Sequence, residues 1–303
     1  MSNKTQTNNS LGMWWQLARP HTLTAAFVPV ILGTVIAIEE TTIDWILFAA
    51  MLIASILIQS ATNMFNEYYD FKRGLDTKES IGIGGAIVRH GVKPKTVMIL
   101  ALTLYGIALL LGIYICMQSS WWLAVVGAVS MLIGYLYTGG PLPIAYTPFG
   151  EIFAGLFMGM LIILISFFIQ TGTVTPLSIL ISIPIMILVG LINLSNNLRD
   201  IEEDRVGGRK TFAILAGRKT AINTMLIFFL IAYLWIIGLV LTGHLTPWAL
   251  ITLISLPKPL KAIKIFKAHE EPLKVMPAMK NTAQTNTFFG LLLSIGLLIG
   301  IFI

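Results

Sequence analysis

The stretch PLSILISIPIMILVGLINLSNNLRDIEEDRVGGRKT, residues 176–211, carries two messages in one continuous run. Its first half is apolar for long enough to cross the roughly 30 Å hydrocarbon core of a bilayer as a helix. Its second half turns polar within a few residues. Asn193, Asn197, Asp200 and Asp204 follow at steps of four, three and four, so they share one helical face. Lipid offers such groups no hydrogen bonds, so this face must look into a bundle interior or a water-filled cavity. A second stretch, NMFNEYYDFKRGLD at residues 63–76, ends another apolar run in the same way, with Asn66 and Asp70 on one face at i, i+4.

The rest of the chain fits an all-α, polytopic membrane protein. Of its 303 residues 56% are hydrophobic and only 11% charged, far below the roughly one quarter of a soluble domain. That composition excludes a soluble enzyme, a disordered chain and a nucleic-acid-binding domain, and implies contact with membrane lipid. About nine transmembrane helices around a central cavity are predicted, near 22–39, 45–66, 97–116, 121–138, 149–170, 176–198, 221–242, 247–265 and 284–302. The eighth is the weakest, because Pro257 and Pro259 interrupt it. The whole of 1–303 reads as one transmembrane domain, with 1–20 a cytoplasmic tail ending in an interfacial anchor of Trp14 and Trp15.

The basic residues set the orientation. Lys4 and Arg19 lie in the tail, and six Lys or Arg lie in each of the connectors 72–95, 199–219 and 258–280, which accounts for all 20. With nine spans they all fall on one side, and the positive-inside rule makes that side, and the N-terminus, cytoplasmic. Cys116 is the lone cysteine, and His21, His90, His244 and His269 show no ligand spacing.

The two acidic stretches both finish a span and run into a basic loop. Asn66/Asp70 and Asn196/Asp200 lie four spans apart, so their helices point the same way, as in a parallel internal repeat. Two carboxylate clusters facing one cavity call for divalent cations, and hard oxygen donors favour Mg2+ shared with a substrate phosphate. Lys72, Arg73, Arg89, Arg199, Arg209 and Lys210 stand beside them as a diphosphate clamp. Between spans four and five, YLYTGGPLPIAYTPFGE (135–151) is a turn-rich connector whose Tyr137 and Tyr146 could line the pocket or face a cation. Taken singly, each motif also reads as an ordinary helix end whose acids balance neighbouring bases. The pair together reads as a metal and diphosphate site at the mouth of an oily chamber.

On the two acidic stretches the chain resembles the UbiA superfamily of intramembrane prenyltransferases. The 137–146 connector and Arg19-Pro20-His21-Thr22 are similar to its branch that prenylates 1,4-dihydroxy-2-naphthoate in menaquinone biosynthesis. The resemblance implies transfer of a polyprenyl group from a polyprenyl diphosphate to that acceptor, with loss of the carboxylate, giving demethylmenaquinol. It implies Mg2+ held by Asn66, Asp70, Asn196, Asp200 and Asp204, with Asp76 a further ligand. Many relatives carry an acid four positions after the first Asp, where this chain has Gly74. Lys72, Arg73, Arg199, Arg209 and Lys210 then hold the diphosphate, and Asp70, Asp200, Asp204, Lys210 and Tyr137 form the catalytic set. Arg89 and Tyr146 bind the acceptor. The active site lies on the cytoplasmic side of the cell membrane. Other acceptors of the superfamily, among them 4-hydroxybenzoate and homogentisate, stay open. A secondary transporter is the rival class, but transporters place ionisable groups near the midplane, and these acids gather at one face.

Overall fold

A computed structural model of the chain describes residues 10–20, 22–76 and 85–303, and among them every regular element is helical. Residues 1–9 of the expected tail, His21 and Lys78 fall outside the described residues. In chain order the elements are α1 (Ser10–Leu17), α2 (Thr24–Ala37), α3 (Trp45–Lys72), α4 (Pro94–Gln118), α5 (Leu123–Leu136), α6 (Gly150–Ala154), α7 (Leu161–Thr171), α8 (Pro176–Arg199), α9 (Ile201–Val206), α10 (Phe212–Ala216), α11 (Arg218–Leu241), α12 (Pro257–Ala268) and α13 (Pro272–Phe302). A π-helical segment, Gly155–Met160, joins α6 to α7.

Among the described residues six helices are long and apolar enough to cross a bilayer: α3, α4, the joined Gly150–Thr171 rod, α8, α11 and α13. Two shorter apolar helices, α2 and α5, match the first and fourth predicted spans. The eighth differs most from expectation. Residues Pro247–Ser255 form a 3-10 helix, and α12 follows directly. A 3-10 helix rises ~2.0 Å per residue and an α-helix ~1.5 Å, so the two pieces together reach about 36 Å. Pro257 and Pro259 fall in the first turn of α12, where a proline costs no intrahelical hydrogen bond.

Local chemistry explains the ends. The Asp44 carboxylate accepts from the Ile46 and Leu47 amides at 2.8 and 3.0 Å and caps α3. Thr175 and Ser178 form a reciprocal capping box at the start of α8. Pro184 inside α8 has no N–H for the carbonyl four residues back. That carbonyl, Leu180, accepts instead from the Trp235 indole of α11 at 2.9 Å, as hydrocarbon surroundings demand.

The main core packs α8, α11 and α13 with α2, α7 and α12 around Phe167, Ile181, Ile185, Leu188, Met225 and Phe289. A smaller cluster on Ala61, Phe65, Val97 and Ala101 binds α3 to α4. Gly155 and Gly159 bring the π segment against the α8 backbone, because a Cβ there would stand 2.4 Å from the Met186 carbonyl oxygen and 2.6 Å from its Cα. This close approach fixes α8, and so the second acidic stretch, against the middle of the bundle.

Candidate active site

Both acidic stretches close with the same piece of backbone. At the end of α3, Gly74 takes φ +72°, its amide donates to Phe71 O at 3.0 Å, and the Leu75 amide donates to Asp70 O at 2.9 Å. At the end of α9, Gly208 takes φ +77°, its amide donates to Arg205 O at 3.1 Å, and the Arg209 amide donates to Asp204 O at 2.9 Å. Each is a Schellman ending with a left-handed glycine, and in each the aspartate sits three residues before the cap. The turn after Gly74 brings Asp76 back over Asp70, its amide 3.4 Å from Asp70 O. Gly74 is therefore a conformational requirement of the turn rather than a missing ligand.

The two ends meet over a polar cavity of about 110 Å³. All six predicted oxygen donors, Asn66, Asp70, Asp76, Asn196, Asp200 and Asp204, line it, together with Tyr137, Arg199 and Arg209. Arg209 bridges the motifs: Nη2 donates to Asp70 Oδ1 at 2.5 Å and Nη1 to Asp204 Oδ1 at 2.8 Å. Arg199 pairs with its neighbour, Nε and Nη2 to the two Asp200 oxygens at 2.5 and 2.6 Å. Burial pushes Asp204 up to about 7; Arg209 opposes this, while Asp200 and Asp70 add to it. Burial and the Asp70 charge push Asp76 up to about 6. Asp204 Oδ2, Arg199 Nη1 and Arg209 Nε are buried without a hydrogen-bond partner.

Among the described residues no three carboxylate, histidine or cysteine side chains converge into a closed metal cage. Mg2+ does not need one, since it keeps several waters and takes one or two carboxylates plus substrate phosphate oxygens. The oxygen-only donor set, with its orphaned Asp204 Oδ2, fits that ion.

The other predicted residues lie outside this cavity. Lys72 and Lys210 are exposed, and the Lys210 amide donates to Tyr146 O at 3.0 Å. Arg73 turns away from the acids. Its Nη1 donates to Thr138 O and its Nη2 to Gly140 O at 3.0 Å, so it staples the connector to α3. The Tyr146 ring lies between the Arg73 and Arg209 guanidiniums, each 5.3 Å from its centroid. Arg89 is exposed and lies against Gly85. The Gly85 amide is in turn held by the buried Glu67 carboxylate at 2.8 and 2.9 Å.

Behind the polar cavity lies an apolar one of about 310 Å³, walled by Met51, Ala54, Ile113, Leu123, Met131, Phe153, Phe157 and Ile162 among others. Arg19, Thr22, Asn66, Tyr137, Asn193 and Asn196 line both. Sequence reasoning passed over Arg19, Thr22 and Glu203 as wall residues. Arg19 and Thr22 sit in a motif that carried only a family likeness, and Glu203 was one acid among several in a charged loop.

Residues 26–279 match the UbiA prenyltransferase family. Over 288 residues the chain is 65% identical to 1,4-dihydroxy-2-naphthoate octaprenyltransferase of Bacillus subtilis, covering 95% of this chain and 93% of that protein. A UbiA homolog from Aeropyrum pernix K1 superposes with a TM-score of 0.68 at 14% identity, over 95% of this chain and 98% of the other. A UbiA homolog from Archaeoglobus fulgidus bound to GPP and Mg2+ superposes with a TM-score of 0.65 at 17% identity, over 93% and 99%. At such identities the structural likeness is one of fold.

Proposed function

This chain belongs to the UbiA prenyltransferase family, and we propose that it transfers a polyprenyl group from a polyprenyl diphosphate to 1,4-dihydroxy-2-naphthoate. The naphthoate branch is supported by 65% identity to the Bacillus subtilis protein along nearly the whole chain. One structural observation carries the chemistry: an acid-lined cavity opens through a shared wall onto an apolar chamber. That pairing suits a substrate with a diphosphate head and a long hydrocarbon tail.

Asn66, Asp70, Asn196, Asp200 and Asp204, with Asp76 beside them, would hold Mg2+. When bound, the metal supplies charge neutralisation and Lewis acidity at the diphosphate oxygens. Arg199 and Arg209 add fixed positive charge where the leaving group gains negative charge. The allylic C–O bond breaks, diphosphate departs with the electron pair, and the electron-rich ring supplies the electrons of the new C–C bond. Carbon dioxide leaves from the acceptor. Tyr137, on the wall common to both cavities, faces the point where head meets tail, and the apolar chamber keeps water from the allylic cation.

The described helices form a multi-pass membrane protein. The finer topology belongs to the same proposal: nine spans in one domain, the N-terminus and active site cytoplasmic, the membrane that of the cell. Nine spans would put all 20 basic residues on one side, as the positive-inside rule asks of a cytoplasmic face. The test is purified protein in detergent with farnesyl diphosphate, 1,4-dihydroxy-2-naphthoate and Mg2+, analysed by mass spectrometry. The expected product is the decarboxylated prenyl naphthalenediol, lost on adding EDTA. Product from 4-hydroxybenzoate alone would discard the acceptor and keep the chemistry.

A further inference from the structure

Glu151 is a half-buried carboxylate that the chemistry above leaves unused. It stands in the first turn of α6 and lines neither cavity. Its Oε1 accepts from Asn197 Nδ2 at 2.7 Å, and its Oε2 is buried with no hydrogen-bond partner. No Lys or Arg pairs with it among the described residues. Taking a carboxylate out of water without a cation is costly. One kept for packing alone is expected to satisfy both oxygens.

Two glycines bring Glu151 to this place. A Cβ at Gly190 of α8 would stand 2.9 Å from the Glu151 carbonyl oxygen. A Cβ at Gly150 would stand 2.9 Å from Tyr137 Oη and 3.2 Å from Asn193 Nδ2. The start of α6 therefore presses on α8 only because both side chains are missing. Gly190, Asn193 and Asn197 follow at steps of three and four and share one face of α8. Asn193 and Asn197 line the polar cavity and Glu151 does not, so the two asparagines form the partition between carboxylate and cavity. Asn193 Nδ2, like Glu151 Oε2, is buried and unpartnered.

A carboxamide has a donor end and an acceptor end. An ionised carboxylate can only accept, so contact with Glu151 takes the Nδ2 end of Asn197 and leaves Oδ1 for the cavity. Without the carboxylate either end fits. An amide end among Asp200 and Asp204 would donate to those acids and repel a metal ion, whereas an oxygen end adds a hard donor. We infer that Glu151 is a positioning residue for the cation site: it holds Asn197 oxygen-first toward the polar cavity, where Oδ1 serves a divalent cation or a water bound to one. This inference rests on the metal reading proposed above.

The experiment is a double-mutant cycle read by metal binding rather than turnover. Mn2+, a paramagnetic stand-in for Mg2+, is titrated into protein in detergent with farnesyl S-thiolodiphosphate present, against a protein-free blank. Glu151→Met and Asn197→Ala should each raise the Mn2+ Kd roughly 10- to 100-fold, the usual loss when the support of a metal site is removed. The double variant should bind no worse than the weaker single one, because Glu151 acts through Asn197. Trp235→Phe removes the other side-chain bond from α11 to an α8 carbonyl; it should lower the unfolding temperature and leave the Kd unchanged. An unchanged Kd in Glu151→Met, losses that add in the double variant, or an equal loss in Trp235→Phe overturns the inference. If Glu151→Met is not monodisperse, Glu151→Gln takes its place under the same criteria. Absence of saturable Mn2+ binding to wild type would instead bring down the metal reading itself.

Discussion

The first and second acidic motifs end on the same backbone turn but reach it differently. α3 runs unbroken to Lys72, so Asn66 and Asp70 stay in helical register. In the second motif α8 stops at Arg199, Asp200 leaves the helical path at φ −98°, ψ 12°, and α9 starts afresh. The residue after the left-handed glycine differs too. Leu75 packs on Gly207, where a Cβ would come within 2.1 Å of its Cδ2. Arg209 sends its guanidinium back to Asp70 and Asp204. One motif therefore contributes an apolar brace and the other the bridging cation. Near-identical backbones can divide the work of a shared site through a single side chain.

The largest expected effect tests the equivalence of Asp70 and Asp204. Each aspartate occupies the same place in its Schellman ending, so Asp70→Ala and Asp204→Ala should each lower kcat roughly 10²–10³-fold, the loss expected for one charge-stabilising group. A variant of either with near wild-type turnover, still monodisperse in detergent, would break the comparison. Next comes the division of labour between the arginines. Arg209→Gln strands two buried carboxylates and should destabilise the metal-free protein by roughly 3–5 kcal/mol, as for a broken buried pair. Arg199→Gln, at a pair closed within one motif, should cost less. Thermal unfolding with and without Mg2+ reads both, and Mg2+ should recover more stability in Arg209→Gln than in wild type. Equal behaviour of the two variants would remove the bridging role. The smallest effect is at the glycines. Gly74→Ala and Gly208→Ala, each in open space at positive φ, should cost about 1 kcal/mol apiece. Gly74→Ala should also impair turnover, because it misplaces Asp76.

The oxygen-donor wall was legible in the sequence because acids are scarce in an apolar chain and helical arithmetic puts them on common faces. Asn66, Asp70, Asn196, Asp200 and Asp204 needed nothing more. The cations were harder. A basic loop next to a membrane contains many Lys and Arg for topological reasons, and spacing cannot say which one turns inward. Arg209 does, through the turn at Gly208. Arg73 spends its guanidinium on carbonyls 138 and 140, and Lys210 points outward. Arg19 was hidden for another reason: it reaches the cavity wall from a left-handed backbone held through Thr22 by Gln59 and Asn63, some forty residues away in sequence. The eighth span was ambiguous because two prolines read as an interruption, whereas they open α12 directly after the 3-10 segment.

The ring of Tyr146 sits between a guanidinium from each motif, and this has a consequence in time. A ribosome makes Arg73 first, Tyr146 next and Arg209 last. Until the last of them arrives, the connector can be fastened on one side only, and Asp70 waits without its bridging partner. The site is therefore a late product of synthesis. A chain halted before the second motif carries half a lock and no key.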